Sequence, residues 1–257
     1  MKEEKFGQEL EAAICVAKEA GHIILLHQGS EKGEVKPDGS IVTRADKLSE
    51  KFIAEILGDR FPEYGFLGEE FGERGEKKVR WIVDPLDGTE SFILNIPTWT
   101  VMIALEVEGS VVLGVIFNPI TQDIFTALRG LGAKHNGVKI KVSERSDLKK
   151  ALLFHSGLAK LNENLNWQSF ASLIKKAGSE RGVNDSFEWM MIADGRANLG
   201  IFMGLGPEDI AAPKIIIEEA GGFVTDFTGE NTIYSGNVLI SSSYSLHAST
   251  LQILRPK

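Results

Sequence analysis

Apolar residues recur every three or four positions near the start of the chain, and this spacing predicts an amphipathic helix over residues 4–27. Gly29 follows directly and is typical of a residue that ends a helix. A second helix is predicted over residues 44–57, because Thr43 and Asp46 have the spacing of a capping box. The chain therefore begins with a pair of helices.

Short apolar runs bounded by turn residues follow and predict a strand-rich block, and beyond residue 143 helices and strands alternate. The strands are predicted at residues 66–67, 79–83, 98–107, 111–117, 123–128, 138–142, 152–155, 198–202, 223–226 and 238–241. The later helices are predicted at residues 164–177, 187–193, 210–220 and 245–254. We therefore expect an N-terminal α+β domain over residues 1–145 and a C-terminal α/β domain over residues 146–257.

The composition excludes several classes of protein. The 257 residues carry 36 acidic and 28 basic side chains, a net charge of -8, which argues against a broad basic surface for nucleic acid. Cys15 is the only cysteine, so an intrachain disulfide or a thiolate zinc cage is excluded. Since no apolar run is long enough for a membrane span or a signal peptide, we expect a cytoplasmic protein without membrane contact.

Two aspartates stand close together after an apolar strand. The strand is expected to end at Asp84, Pro85 favours a tight turn, and Asp87 follows three residues later. Two carboxylates held this close need a cation, and oxygen ligands without His or Cys favour Mg²⁺ over zinc. The turn also exposes the carbonyl oxygen of Leu86. The alternative is a turn in which the aspartates bond only to their own backbone.

Gly88 and Thr89 come directly after these aspartates. A glycine permits close backbone approach, and the following residues can begin a short helix whose free N–H groups hold a phosphate. This pair is therefore a candidate phosphate-binding turn.

Further acidic residues lie at the ends of other predicted elements. Glu69 and Glu70 follow a short strand, and Asp209 precedes an apolar helix. Taken singly, the glutamates are typical of a solvated loop and the aspartate of a helix cap. Lys36 is interpreted as a solvated side chain or, less readily, as part of a loop that covers the acidic residues.

Together, these segments resemble the signatures of the inositol monophosphatase family. The first is Gly68-Glu69-Glu70, the second runs from Trp81 to Phe92, and the third begins at Asp209-Ile210-Ala211-Ala212. Residues 36–46 also resemble the N-terminal region of that family. The similarity covers nearly the whole chain in the family's order and spacing.

The resemblance implies a layered αβαβα sandwich of the inositol monophosphatase and fructose-1,6-bisphosphatase type, often a homodimer. It implies an enzyme that hydrolyses small phosphate monoesters with two or three Mg²⁺ ions, for which Mn²⁺ is a possible substitute. The implied metal ligands are the carboxylates Glu69, Asp84, Asp87 and Asp209 with the carbonyl of Leu86.

The resemblance also implies roles around those ligands. Glu69 and Thr89 would position the attacking water, and Asp46 would bond to Thr89. Gly88 and Thr89 would bind the phosphate. Asp185 and Asp209 are expected as further substrate contacts.

Several positions depart from the inositol-specific pattern. Glu90 and Ser91 stand where Thr-Asn is usual, Glu208 stands where Trp is usual, and the inositol-contacting glutamate falls on Phe202 by simple counting. The Asp-Gly-Thr-x-Ser-Phe sequence and the Asn184-Asp185 pair are more similar to the histidinol-phosphate phosphatases of the family. The sub-family therefore stays open.

We retain four functions for this chain. The leading one is hydrolysis of an inositol monophosphate or a similar ester, and histidinol-phosphate phosphatase is the nearest alternative. A 3'(2'),5'-bisphosphate nucleotidase would need an adenine-sized pocket bordered by Asp185 and Phe202. A non-catalytic homologue would bind metal or ligand but would have lost turnover through Glu90 or Glu208.

Overall fold

Five alternating layers, in the order helix, sheet, helix, sheet, helix, make up the computed structural model. It describes residues 5–29, 32–37, 39–158, 167–183 and 185–254. Three hydrophobic clusters fill the spaces between layers. Sheets are apolar on the faces that they bury, so an arrangement of this kind covers both faces of both sheets. The predicted αβαβα sandwich is confirmed.

The first layer is a helix pair, α1 (Gly7–Leu25) and α2 (Arg44–Arg60). Ala13, Ala17 and Ala20 of α1 are completely buried, and such small side chains allow close packing. Thr43 and Asp46 form the predicted capping box at the start of α2, which fixes where this helix begins.

The first sheet has eight strands in the order β10-β9-β8-β7-β6-β5-β3-β4. Among the described strands of this sheet, only the β3–β5 pairing is parallel. The bounds are β3 (Gly65–Gly68), β4 (Gly72–Arg74), β5 (Val79–Asp87), β6 (Thr100–Val107), β7 (Ser110–Asn118), β8 (Asp123–Leu128), β9 (Gly132–His135) and β10 (Val138–Lys139). A separate two-stranded ribbon consists of β1 (Glu34–Val35) and β2 (Ile41–Val42).

Alternate side chains of β5 belong to the two hydrophobic clusters on either side of this sheet. Ile82 belongs to the cluster shared with the central helices, and Val83 belongs to the cluster under α1 and α2. This period of two is the geometry of a strand. Because both faces of the sheet are covered, β5 has apolar side chains on both sides. This explains the continuous apolar run in its sequence.

The central helices are α5 (Ser186–Ala193) and α6 (Pro207–Glu219), and a one-turn helix, α3 (Thr89–Ile93), follows β5. The second sheet has the order β12-β11-β13-β15-β14. Its strands are β11 (Leu152–His155), β12 (Ser179–Arg181), β13 (Leu199–Met203), β14 (Phe223–Thr225) and β15 (Asn237–Ser241). The outer layer contains α4 (Trp167–Lys176) and α7 (Tyr244–Leu254), and a 3₁₀ turn lies at Leu148–Lys150.

Some predicted boundaries need correction. The strand expected at residues 138–142 stops at Lys139, after which Ile140 and Val142 bond to Ala133 and Ala220 outside a regular ladder. Residue 4 and residues 164–166 of the predicted helices lie outside the described residues. The segment between β10 and β11 contains the predicted domain boundary, and the division into two domains stays a prediction. No helix in the described part of the chain has the length and apolar character needed to cross a membrane.

The contact between the first sheet and α6 depends on Gly114 in β7. A Cβ at this position would lie 2.5 Å from Ile215 Cγ2 and 2.8 Å from the Ala212 carbonyl oxygen. We expect Gly114→Ala to lower the free energy of unfolding by about 1–3 kcal/mol, because the helix must move away. Gly58→Ala in α2 is the control, since nothing lies within 4 Å and a helical alanine stabilises by roughly 0.5–1 kcal/mol. Urea unfolding of both variants measures this, and equal stability would contradict it.

Candidate active site

Three carboxylates from distant parts of the sequence meet between β5 and α6. Asp84, Asp87 and Asp209 each offer an oxygen, and these oxygens all lie within 4.8 Å of one another. Asp209 is in the first turn of α6. We expected the strand to end at Asp84, and this was wrong. Strand β5 continues to Asp87 across a register irregularity between the two aspartates. This bulge replaces the simple turn inferred from Pro85.

A backbone N–H group orients each of these carboxylates. Leu86 N–H donates to Asp84 at 2.9 Å, Ser186 N–H donates to Asp87 at 2.6 Å, and Gly206 N–H donates to Asp209 at 2.7 Å. The first of these bonds is local to the bulge, while the others tie the carboxylates to the starts of α5 and α6. The cluster is therefore held by three elements of the fold.

Burial and mutual repulsion disfavour the charged forms of these groups. Burial raises the pKa of Asp84 well above its usual value, and the charges of Glu69, Asp87 and Asp209 raise it further. Burial also raises the pKa of Asp209, with Glu208 as the next cause. For Asp87, burial and the charge of Asp185 raise the pKa to about 7.

This donor set fits a divalent cation. In the described part of the chain, none of the three carboxylates forms an ion pair with lysine or arginine. Carboxylate oxygens without His or Cys are the ligands of hard cations such as Mg²⁺. A cation between the three groups would remove the repulsion that raises their pKa values.

Glu69 lies beside this cluster but outside the group of oxygens within 4.8 Å. Its charge raises the pKa of Asp84 and of Asp209, while its Oε1 contacts Lys36 Nζ at 2.9 Å. The same ammonium contacts Glu70 at 2.7 Å. Lys36 is therefore part of the acidic site and not a solvated side chain. The role of Glu69 as a metal ligand stays a prediction.

Thr89 is connected to Asp46 as expected. Its hydroxyl donates to Asp46 Oδ1 at 2.9 Å and lies 3.2 Å from the Leu86 carbonyl oxygen. Asp46 Oδ2 accepts the N–H group of Thr43 at 2.8 Å as well as its hydroxyl. Burial raises the pKa of Asp46 to about 6. The helix cap of α2 thus also anchors the Thr89 side chain.

The Gly88 turn packs directly against Asp185. Gly88 has φ 83°, which glycine adopts without strain, and a Cβ there would lie 3.0 Å from the Asp185 carboxyl group. Asp185 Oδ2 accepts the hydroxyl of Ser91 at 2.7 Å and the hydroxyl of Thr98. Asp185 therefore fixes the turn from the side of α5. Its expected contact with substrate stays a prediction.

Two residues near the site were not identified from the sequence. Ser49 donates its hydroxyl to the Pro85 carbonyl oxygen at 3.2 Å, and Glu50 accepts N–H groups of the loop at Glu70. Both are completely buried on α2. The available signal was a pair of polar residues three and four positions after Asp46, on the buried face of an amphipathic helix.

Comparison with known proteins identifies the family. The model of the inositol monophosphatase family matches residues 7–257. The chain therefore belongs to the inositol monophosphatase family, and the resemblance seen in the motifs is confirmed.

Individual relatives cover the chain almost completely. A histidinol-phosphatase of Chlorobaculum parvum is 37% identical over 91% of this chain and 92% of its own length. The Nus factor SuhB of Vibrio cholerae is 34% identical over 91% of both chains. The crystal structure of extragenic suppressor protein suhB from Bartonella henselae superposes with a TM-score of 0.90 at 31% identity, over 97% of this chain and 99% of that one.

The family and the histidinol-phosphatase relative define the reaction class. The chain is a phosphatase, a phosphoric monoester hydrolase. Its acidic cluster is a candidate metal site.

The raised pKa values predict how pH affects stability in the absence of metal. A folded-state pKa of about 7 for Asp87, against 3.8 in the unfolded chain, means that the folded form binds this proton more tightly. Unfolding therefore becomes easier as pH rises from about 4 to about 7. We expect Asp87→Asn to remove about 2 kcal/mol of this decline, which is less than the full effect because solvent reaches part of the side chain.

Chemical denaturation of metal-free protein at pH 5 and pH 8 measures this difference. Mg²⁺ should stabilise the unchanged protein more at pH 8 than at pH 5, because protons compete for the carboxylates at the lower pH. Parallel pH profiles for Asp87→Asn and the unchanged protein would contradict the assignment.

Proposed function

We propose that this protein hydrolyses a small phosphate monoester with Mg²⁺ bound by the acidic cluster. The observation that carries this proposal is the convergence of Asp84, Asp87 and Asp209 within 4.8 Å beside the Gly88 turn. Glu69 and the Leu86 carbonyl would complete the ligands. Two or three Mg²⁺ ions, or Mn²⁺ in their place, would neutralise the phosphate charge and make a water molecule easier to deprotonate.

The side chain of Thr89 would position the attacking water by accepting a hydrogen bond from it. When its hydroxyl donates to Asp46 Oδ1, at 2.9 Å, a lone pair of Thr89 Oγ1 remains available to accept this bond. Glu69, on the other side of the cluster, would orient the same water. Asp46 acts through Thr89 and makes no contact with substrate in this scheme.

The turn at Gly88 and Thr89 would bind the phosphate. The first N–H groups of α3 have no carbonyl partner within that short helix, so they can donate to phosphate oxygens. Asp185 keeps this turn in place through Ser91 and Thr98. Asp185 and Asp209 would border the leaving group.

The acidic surroundings favour a leaving group with a positive charge. Glu208 raises the pKa of Asp209, and Glu90 raises the pKa of Asp185, so both extra carboxylates lie near the site. Phe202 is 2% exposed and stacks on Trp189 at 4.9 Å, so it offers no polar contact to an inositol ring. We therefore favour histidinol phosphate, whose amine is cationic, over inositol monophosphate. The histidinol-phosphatase relative supports the same choice.

Asp84→Asn tests the metal cluster. We expect Mg²⁺-dependent phosphate release to fall by about a thousandfold, equivalent to about 4 kcal/mol of transition-state stabilisation, because a central anionic ligand is lost. Asp59→Asn, on the exposed end of α2, is the matched control and should leave the rate unchanged. Phosphate release with and without Mg²⁺ gives the result, and an unchanged rate for Asp84→Asn would reject the proposal.

A substrate panel tests the leaving group. We expect kcat/KM for histidinol phosphate to exceed that for inositol 1-phosphate by at least about tenfold, because each factor of ten needs only about 1.4 kcal/mol of differential binding. Adenosine 3',5'-bisphosphate serves as the nucleotide comparison. Faster turnover of the inositol ester or of the nucleotide would assign the chain to that substrate.

A second candidate is a non-catalytic role, in which the protein binds metal or ligand without turnover. It is favoured by relatives named as Nus factors. Under this alternative, hydrolysis of an aryl phosphate would be absent across a wide range of Mg²⁺ concentration, although the metal still binds. The net charge of -8 argues against direct contact with nucleic-acid phosphates. A homodimer and a cytoplasmic location stay predictions.

A further inference from the structure

Glu50 is a buried carboxylate that the proposed chemistry does not use. It lies on α2 with 0% exposure. Its Oε2 accepts the N–H group of Glu70 at 2.7 Å, and its Oε1 accepts the N–H group of Phe71 at 3.0 Å. These consecutive N–H groups belong to the turn between β3 and β4, which also carries Glu69. A side chain from the helix layer therefore holds the tip of that turn.

Keeping the Glu50 carboxylate charged at this buried position costs free energy. Burial raises the pKa of Glu50, and the charges of Glu70 and Glu69 raise it further. Its partners among the described residues are the two N–H groups, with no lysine or arginine. A glutamine would avoid the charge but would offer one acceptor oxygen instead of two. Both carboxylate oxygens of Glu50 are used in holding the turn.

Gly68 leaves the space that the Glu50 carboxyl group fills. A Cβ at position 68 would lie 2.0 Å from Glu50 Oε1 and 2.4 Å from its Cδ. The glycine of the Gly68-Glu69-Glu70 motif is therefore explained by the close approach of Glu50.

The hydrogen bonds to Glu50 begin at the residue after the last backbone hydrogen bond between this chain segment and β5. Glu69 N–H donates to the Val83 carbonyl oxygen at 3.3 Å, one residue before Asp84, and continues the parallel pairing of β3 with β5. Beyond this point the next two N–H groups turn to Glu50. Four residues earlier on α2, Asp46 holds Thr89. One face of α2 thus fixes both loops of the site.

We propose that Glu50 is a positioning residue, which directs the Glu69 carboxylate towards the cluster of Asp84, Asp87 and Asp209. The inference rests on the proposed function, because it treats Glu69 as part of the divalent-cation site. Without the Glu50 bonds the turn keeps its sequence but loses its fixed orientation. Divalent-cation affinity is then lower, although no ligand has been removed.

Calorimetric titration of metal-free protein with Mn²⁺ alone tests this role. We expect Glu50→Gln to weaken binding by about tenfold to a hundredfold, the usual effect of losing a residue that orients a ligand. Glu55→Gln makes the same change on the exposed face of α2 and should bind as the unchanged protein does. Hydrogen exchange at the Glu70 and Phe71 amides should be faster in Glu50→Gln. A lowered melting temperature with unchanged Mn²⁺ affinity would overturn the inference.

A double-mutant cycle shows whether Glu50 acts through Glu69. In a Glu69→Gln background, adding Glu50→Gln should change Mn²⁺ affinity by less than about twofold, because the positioned ligand is already gone. The same tenfold loss in both backgrounds would overturn the inference.

Gly68→Ala provides a second route that keeps every polar group. Its Cβ would displace the Glu50 carboxyl group, so we expect Mn²⁺ binding to weaken as in Glu50→Gln. Unweakened binding in this variant would count against the inference even if Glu50→Gln does not fold. If the unchanged protein binds no Mn²⁺, the proposed function fails as well. Binding by the unchanged protein and equal binding by Glu50→Gln would reject the inference alone.

Discussion

Repulsion between buried carboxylates is the constraint on which the site depends. Asp84, Asp87 and Asp209 have oxygens within 4.8 Å of one another, and burial raises the pKa of each. Such a group of anions does not assemble by its own attraction. It is imposed by β5, α5 and α6, which bring a backbone N–H group to each carboxylate. The hydrophobic clusters on both sides of the first sheet supply the stability that this repulsion removes.

Much of the fold could be predicted because its signals are local or lie in motifs. Helical periodicity located α1, the Thr43 and Asp46 spacing located α2, and the order of motifs identified the layered family. Some strands of two to four residues, such as β1, β4, β9 and β12, went unpredicted because so few residues show no clear alternation, although β11 and β14 are as short and were predicted. The bulge in β5 was also missed, since Pro85 is equally typical of a turn that ends a strand.

The site shows a similar division between local signals and tertiary contacts. The acidic cluster could be predicted because its residues lie in recognisable motifs. The pairing of Lys36 with Glu69 and Glu70 could not, since it joins segments more than 30 residues apart. Glu50 was missed for a different reason. A charged residue in an amphipathic helix is normally assigned to the exposed face, and only the structure places this one against Gly68.

The buried polar residues of α2 and the first sheet contribute to the site in different ways. The sheet delivers the loops to the site through regular pairing, which fixes position but ends before the functional side chains. Buried groups of α2, namely Asp46, Ser49 and Glu50, then fix the orientation of those loops. Apolar residues at these positions would be expected to stabilise the helix packing more, because buried charges are costly. The presence of polar groups here is therefore better explained by the geometry of the acidic site than by the stability of the fold.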